Sequence, residues 1–207
     1  MATDDLAAQE QMLRDVLRLA ADLDMADCPP MVGQRIHRRL RELTAVSDPY
    51  AAIKERFNAT ALDMLPESRA KVAGAADPFT MAVRLAVAGN VIDLGVEGNI
   101  SEAQVRQAMA RTLSEAFQGD IDGLRAAADA AGRILYLADN AGEIVFDRLL
   151  IEQLPTERVT LAVRGAPVLN DATRVDAEVA GLDEIVEVID NGSDAPATLL
   201  ADCSADF

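Results

Sequence analysis

Aromatic side chains are nearly absent from this sequence: tryptophan does not occur, and Phe, Tyr and Trp together make up 3% of its 207 residues. Half the residues are apolar, so the core has to be built mainly from Ala, Leu and Val, a composition that leans helical. Histidine occurs once, as His37, which leaves little for a zinc site or a Ser-His-Asp triad. Set among Arg35, Arg38 and Arg39, it reads as a surface residue. Cys28 and Cys203 lie far apart and read as free thiols of a reducing compartment. Positive charge is scarce as well. Nineteen Lys and Arg stand against 35 Asp and Glu, a net charge of −16, which argues against nucleic acid or an anionic membrane as the main partner. No apolar run approaches the ~18 residues of a membrane span, and the acidic start at Asp4 and Asp5 is unlike a signal peptide. The expectation is a cytoplasmic protein, one that needs a bound cation or a local Arg or Lys to hold any phosphorylated partner.

What is present falls into two parts. From Asp4 onward, apolar residues recur at helical spacing (Leu6, Met12, Leu13, Val16, Leu17, Leu19) until Cys28-Pro29-Pro30 stops the helix. A second helix is predicted from Val32 to Leu43. A third opens at Ser47-Asp48-Pro49 and ends at Leu65-Pro66, followed by a separate helix from Glu67 to Gly74. Asp77-Pro78 starts another through Ala88, and helices follow from Ser101-Glu102 to Phe117 and from Gly119-Asp120 to Ala130. After Gly132 the pattern alternates. Strands are predicted at Ile134–Leu137, Arg158–Val163 and Ile185–Ile189, with helices at Ile144–Leu154 and Ala172–Ala180 between them. The expected architecture is α/β: a helical domain over residues 1–131 and a Rossmann-like parallel sheet over 132–207.

Each strand runs into a segment rich in oxygen donors: Asp139 and Asn140, then Asn170 and Asp171, then Asp190, Asn191, Ser193 and Asp194. Parallel strands place these ends along one side of the sheet, where ligands of open α/β folds bind. Helix capping accounts for one such segment easily and for three less comfortably. Carboxylate and amide oxygens without His or Cys favour a hard cation such as Mg²⁺ or Mn²⁺. A cation with open positions neutralises a phosphate and lowers the pKa of an attacking water, the requirement for phosphomonoester hydrolysis. Arg164 is placed to clamp phosphate oxygens, or else to form a surface ion pair. Glu143 reads as a base, or as an acid set against the helix dipole. Gly142 permits close backbone approach of an anion to the helix N-terminus. Asn90 and Asp93 share a helical face and read as a lip over the crevice or as a helix-ending hydrogen-bonded pair.

Five segments carry a family resemblance: Asp48-Pro49-Tyr50 with Lys54 and Asn58, the run 88–95 (Ala-Gly-Asn-Val-Ile-Asp-Leu-Gly), the run 138–147 (Ala-Asp-Asn-Ala-Gly-Glu-Ile-Val-Phe-Asp), the run 163–173 (Val-Arg-Gly-Ala-Pro-Val-Leu-Asn-Asp-Ala-Thr), and the run 191–196 (Asn-Gly-Ser-Asp-Ala-Pro). In this order they resemble the damage-control phosphatase family, formerly domain of unknown function 89. The resemblance implies a helical domain on a Rossmann-like domain, and metal-dependent hydrolysis of small phosphorylated metabolites such as sugar phosphates or phosphopantetheine-like compounds. It implies Asp139, Asn140 and Asp171 as metal ligands, with Glu143, Asn90 and Arg164 around the phosphate. Arg164-Gly165-Ala166-Pro167 stands where the family often has Lys-Gly-Gly-Pro, and Cys28 stands alone where relatives carry a cysteine pair. The chain is also expected to be truncated, because the family continues past Phe207 with another strand and a glycine-rich loop.

The resulting expectation is a phosphatase using a divalent cation (Mg, Mn, Co or Ni). Asp139, Glu143 and Arg164 are its catalytic residues, and Asn90, Asp93, Gly142, Asn170, Ser193 and Asp194 contact the substrate. The alternative is a truncated, non-catalytic protein that binds a metal, a metabolite or a partner, with the open sheet edge as a route to a homo-oligomer. A nucleotide or S-adenosylmethionine enzyme is disfavoured because no Gly-x-Gly-x-x-Gly pattern follows any strand.

Overall fold

The computed structural model describes residues 5–90, 102–205 and 207. Among them the order is α1 (Leu6–Ala21), α2 (Pro29–Thr44), α3 (Ala51–Gly74), α4 (Pro78–Gly89), α5 (Glu102–Ser114), α6 (Ile121–Ala130), β1 (Ile134–Leu137), α7 (Glu143–Ile151), β2 (Val159–Val163), α8 (Arg174–Val179) and β3 (Glu187–Asp190). The three strands form one parallel sheet in the order β1-β2-β3, with Ile134 opposite Val159 and Thr160 opposite Glu187. Both connections step the same way across the sheet, and the right-handed crossover that such parallel units adopt then puts α7 and α8 on one face.

The core forms where that face meets the helices. Ile144, Val145, Phe146, Leu149 and Ile151 of α7 are fully or almost fully buried, and one apolar cluster joins them to Leu161 and Val163 of β2 and to Phe57, Met64, Leu85 and Ala88 of α3 and α4. The cluster therefore spans residues on both sides of position 131. A Cβ added at Gly89 would lie 3.0 Å from Phe146 Cβ, so α4 reaches α7 by having no side chain there. On the opposite face of the sheet, Leu135 and Leu137 remain half exposed, as strand alternation requires when Ile134 and Tyr136 point inward.

Prolines behave differently from the expectation in two places. Pro66 lies inside α3 instead of ending it, and α3 runs unbroken for 24 residues. The ring faces solvent, where water can satisfy the carbonyl it leaves unpaired, while Met64, Leu65, Ser68 and Val72 stay buried. Pro29 and Pro30 open α2 rather than only closing α1, because the first helical N–H groups have no partner to lose. Residues 171–173 are not helical. Asp171 and Thr173 pair with Asn140 and Arg164 in isolated bridges, which delays α8 to Arg174. His37 is not a surface residue: it is half-buried, edge-on to Tyr50 with ring centroids 5.6 Å apart, and burial pushes its pKa down.

Gly89→Val is expected to force α4 off Phe146 and to lower unfolding free energy by about 1–3 kcal/mol, read from the urea midpoint. A change below about 0.5 kcal/mol would show that the two helices do not depend on this contact.

Candidate active site

Two backbone segments are sewn together just beyond the carboxyl ends of β1 and β2. Ala141 N–H donates to the Asn170 carbonyl (2.8 Å), Ala172 N–H donates to the Asp139 carbonyl (2.7 Å), and Asn140 and Asp171 form an antiparallel bridge. Their side chains meet as a result. Arg164 Nε donates to Asp171 Oδ2 at 2.6 Å, and Arg164 Nη2 lies 3.6 Å from Asp139 Oδ1. Asn140 Nδ2 donates to Asp139 Oδ2 and to Glu143 Oε2, both at 3.1 Å. Asn90, the residue that follows Gly89 at the end of α4, donates its Nδ2 to Glu143 Oε2 at 2.9 Å. An unbroken chain of contacts thus runs Asp171, Arg164, Asp139, Asn140, Glu143, Asn90.

Burial grades the cluster. Asp171 and Arg164 are 5% and 6% exposed, whereas the Asp139 side chain is 59% exposed. Burial raises the Asp171 carboxyl above its ordinary range, partly offset by the Arg164 guanidinium. Below them, Asp147 of α7 accepts the Tyr136 hydroxyl at 2.7 Å. Burial, with Glu143 and Asp139 nearby, pushes its pKa up to about 8 against the stabilising Tyr136 bond. Burial favours the protonated form of Asp147, which leaves Asp139, Glu143 and Asp171 as the other acids of the cluster beside one guanidinium. Asp139, Glu143 and Asp147 line a cavity of about 300 Å³ together with Leu135, Tyr136 and Leu137. Larger hollows, about 400 Å³ between α3 and α8 and about 500 Å³ between α1 and α2, contain none of the three carboxylates.

Other residues expected at the site have different surroundings. Ser193 donates to Asp202 at 2.6 Å and accepts from the Ala195 N–H. Asp194 is gripped by Gln34, Arg38 and Arg41 of α2. The third strand's donor segment therefore fastens the C-terminal loop to α2, and its acids are neutralised by arginines that were free to reach them. Asn170 contributes its carbonyl to the backbone seam. Asp93 lies outside the described residues. Arg164 is not a surface ion pair, nor is its whole guanidinium open to a phosphate, because Nε and Nη1 are committed to Asp171 and Thr198. Gly142 has φ +81° as the N-cap of α7, but its N–H is taken by Asn58 Oδ1 at 2.7 Å. The Ile144 and Val145 N–H groups are also bonded within the turn, so the helix start is less open to an anion than its sequence suggests.

Asn58, Lys54, Asp176, Tyr136 and Asp147 had no assigned role in the sequence. The available signal was Lys54 and Asn58, one helical turn apart in a segment otherwise rich in buried residues, where buried polar groups demand partners.

The family profile described as "Damage-control phosphatase ARMT1-like domain" matches residues 1–207. The chain belongs to the damage-control phosphatase family. It is 37% identical to a damage-control phosphatase of Archaeoglobus fulgidus, over 94% of this chain and 69% of that protein. It is 33% identical to an uncharacterized protein of Methanocaldococcus jannaschii, over 99% of this chain and 69% of that protein. The crystal structure of a family member from Pyrococcus horikoshii superposes with a TM-score of 0.85 at 27% identity, covering all of this chain and 72% of the other.

Whether the cluster around Asp139 and Asp171 suits a divalent cation is a question of donors. Among the described residues, no three His, Cys, Asp or Glu side chains are grouped to hold a metal, so any set here consists of the Asp139 and Asp171 carboxylates and an amide. Asn140 turns Nδ2 toward Asp139 and Glu143, and a half-turn of that amide exchanges Nδ2 for the oxygen a cation requires. Oxygen donors around uncompensated negative charge fit a hard divalent ion.

The raised Asp147 pKa carries a stability consequence. The unfolded carboxyl ionises near 3.8 and the folded one near 8, so the folded state is progressively penalised as pH rises through that window. Asp147→Asn is expected to gain stability over the wild type by about 1 kcal/mol or more between pH 5 and pH 8. Urea denaturation at the two pH values measures this, and parallel curves would rule out a buried neutral Asp147.

Proposed function

We propose that the chain is a metal-dependent phosphomonoester hydrolase acting on small phosphorylated metabolites, with Asp139, Asn140 and Asp171 as the ligands of a divalent cation. The observation that carries this reading is the cluster's charge: three carboxylates beside one largely committed arginine repel a phosphate dianion unless a cation intervenes. Family membership supports phosphatase chemistry on damaged metabolites. A divalent ion bound there supplies charge neutralisation for the phosphate and acidifies a water. The chain's residues do the rest. Glu143, oriented by Asn90 and Asn140, accepts the proton of the attacking water. Arg164 holds Asp171 and Asp139 in place and offers Nη2 toward the phosphate. The 300 Å³ cavity beside Asp139 and Glu143 receives part of a small leaving group. A non-catalytic, partner-binding reading is favoured by one feature, the half-exposed Leu135 and Leu137 on the open face of edge strand β1.

The deciding experiment is phosphate release from a panel of sugar phosphates, phosphopantetheine and p-nitrophenyl phosphate with Mg²⁺, Mn²⁺, Co²⁺ or Ni²⁺. The expectation is metal-dependent turnover, with kcat/KM lowered at least about 100-fold by Asp139→Ala or Asp171→Ala and about 10²-fold or more by Glu143→Gln. No turnover with any metal supports the binding reading; activity untouched by all three substitutions places the site elsewhere.

A further inference from the structure

A helix remote in sequence reaches into the seam between the two site segments. Asn58 of α3, 4% exposed, uses both ends of its amide: Oδ1 accepts the Gly142 N–H at 2.7 Å, and Nδ2 donates to Asp176 Oδ1 at 2.9 Å. Gly142 lies two residues beyond Asn140. Asp176 is tied to Thr173, two residues beyond Asp171, by accepting both its N–H (2.8 Å) and its hydroxyl (2.7 Å) on Oδ2. Lys54, one turn before Asn58, places its ammonium 2.8 Å from the same Oδ2 and 3.5 Å from Asp48.

We propose that Asn58 is a positioning residue of the phosphatase site, one buried amide that sets how the Asp139–Asn140 turn stands against the segment carrying Asp171. This rests on the proposed metal reading of those three residues. The geometry admits few substitutes. The position must present an acceptor to a backbone N–H and, at the other end, a donor to a carboxylate, which among side chains of this length only an amide does. Aspartate would keep the first contact and set like charge against Asp176. Leucine would fill the space and leave the Gly142 N–H and Asp176 Oδ1 without the amide that now pairs them. The backbone seam at Ala141 and Ala172 holds the segments adjacent, and the amide fixes their depth relative to α3. Displacements on the order of 1 Å are enough to cost ~100-fold in turnover. Lys54 supports the arrangement by countering the Asp176 charge.

The test measures Mn²⁺ affinity by titration calorimetry, amide hydrogen exchange at Gly142 and at the core residue Leu161, and kcat and KM, for wild type, Asn58→Leu and Asn58→Asp. In Asn58→Leu the expected result is Gly142 exchange at least 30-fold faster with Leu161 unchanged, Mn²⁺ Kd raised at least tenfold, and kcat lowered at least tenfold with KM within threefold. Asn58→Asp is expected to keep Gly142 protected while its Mn²⁺ Kd rises threefold or more. Faster Gly142 exchange with Mn²⁺ affinity and kcat within twofold of wild type overturns the proposal and leaves Asn58 a structural residue. If Leu161 loses protection in Asn58→Leu, that variant has not folded and Asn58→Asp decides: an affinity within twofold of wild type overturns the bridge to Asp176. A wild-type protein that binds none of Mn²⁺, Mg²⁺, Co²⁺ or Ni²⁺ in the same titration sinks the metal reading and this inference with it, an outcome visible before any variant is made.

Discussion

Asp139, Glu143 and Asp171 repel one another, and much of the surrounding chemistry keeps them together. The backbone seam at Ala141–Asn170 and Ala172–Asp139 supplies bonds that do not depend on ionisation. Arg164 sits between two of the acids, and its burial strengthens that attraction by removing the water that would screen it. Two amides, Asn140 and Asn90, donate to the carboxylates and so spread charge without cancelling it. What remains is a cluster in which acids outnumber the one guanidinium, with the Asp139 carboxyl largely exposed.

The helical layer does more than shield the sheet. Gly89 lets α4 approach α7 closely enough for Asn90 to reach Glu143, and α3 presents Lys54 and Asn58 on the face that meets the turn at Gly142. Elements formed early in the chain thereby set the geometry of loops formed late in it. The stability of the helical layer and the shape of the site are coupled through a few buried polar contacts. Buried networks of this kind are costly when half satisfied, which is why every oxygen of Asp176 has a partner.

Much of this arrangement was legible in the residues. The strand at Ile134–Leu137 and the capped start at Asp77-Pro78 follow from local pattern alone, and the alternation after Gly132 implied the parallel sheet. Pro66 misled because proline's effect depends on which side of the helix faces water, and local sequence does not say. The third donor-rich segment misled for a related reason: Asp194 looks the same as Asp139 in sequence, yet α2 brings Gln34, Arg38 and Arg41 to the former only.

Composition and periodicity therefore determined the α/β architecture, and strand–helix alternation set the oxygen-rich strand ends along one side of the sheet. Tertiary structure decided which of those ends converge, that Arg164 is buried between acids, and that a helix amide 84 residues away from Gly142 occupies its N–H. The division has a physical origin. Helices, strands and their ends are governed by neighbours within a few residues, whereas the partner of a buried charge or amide is whichever group the packed core carries to within about 3 Å.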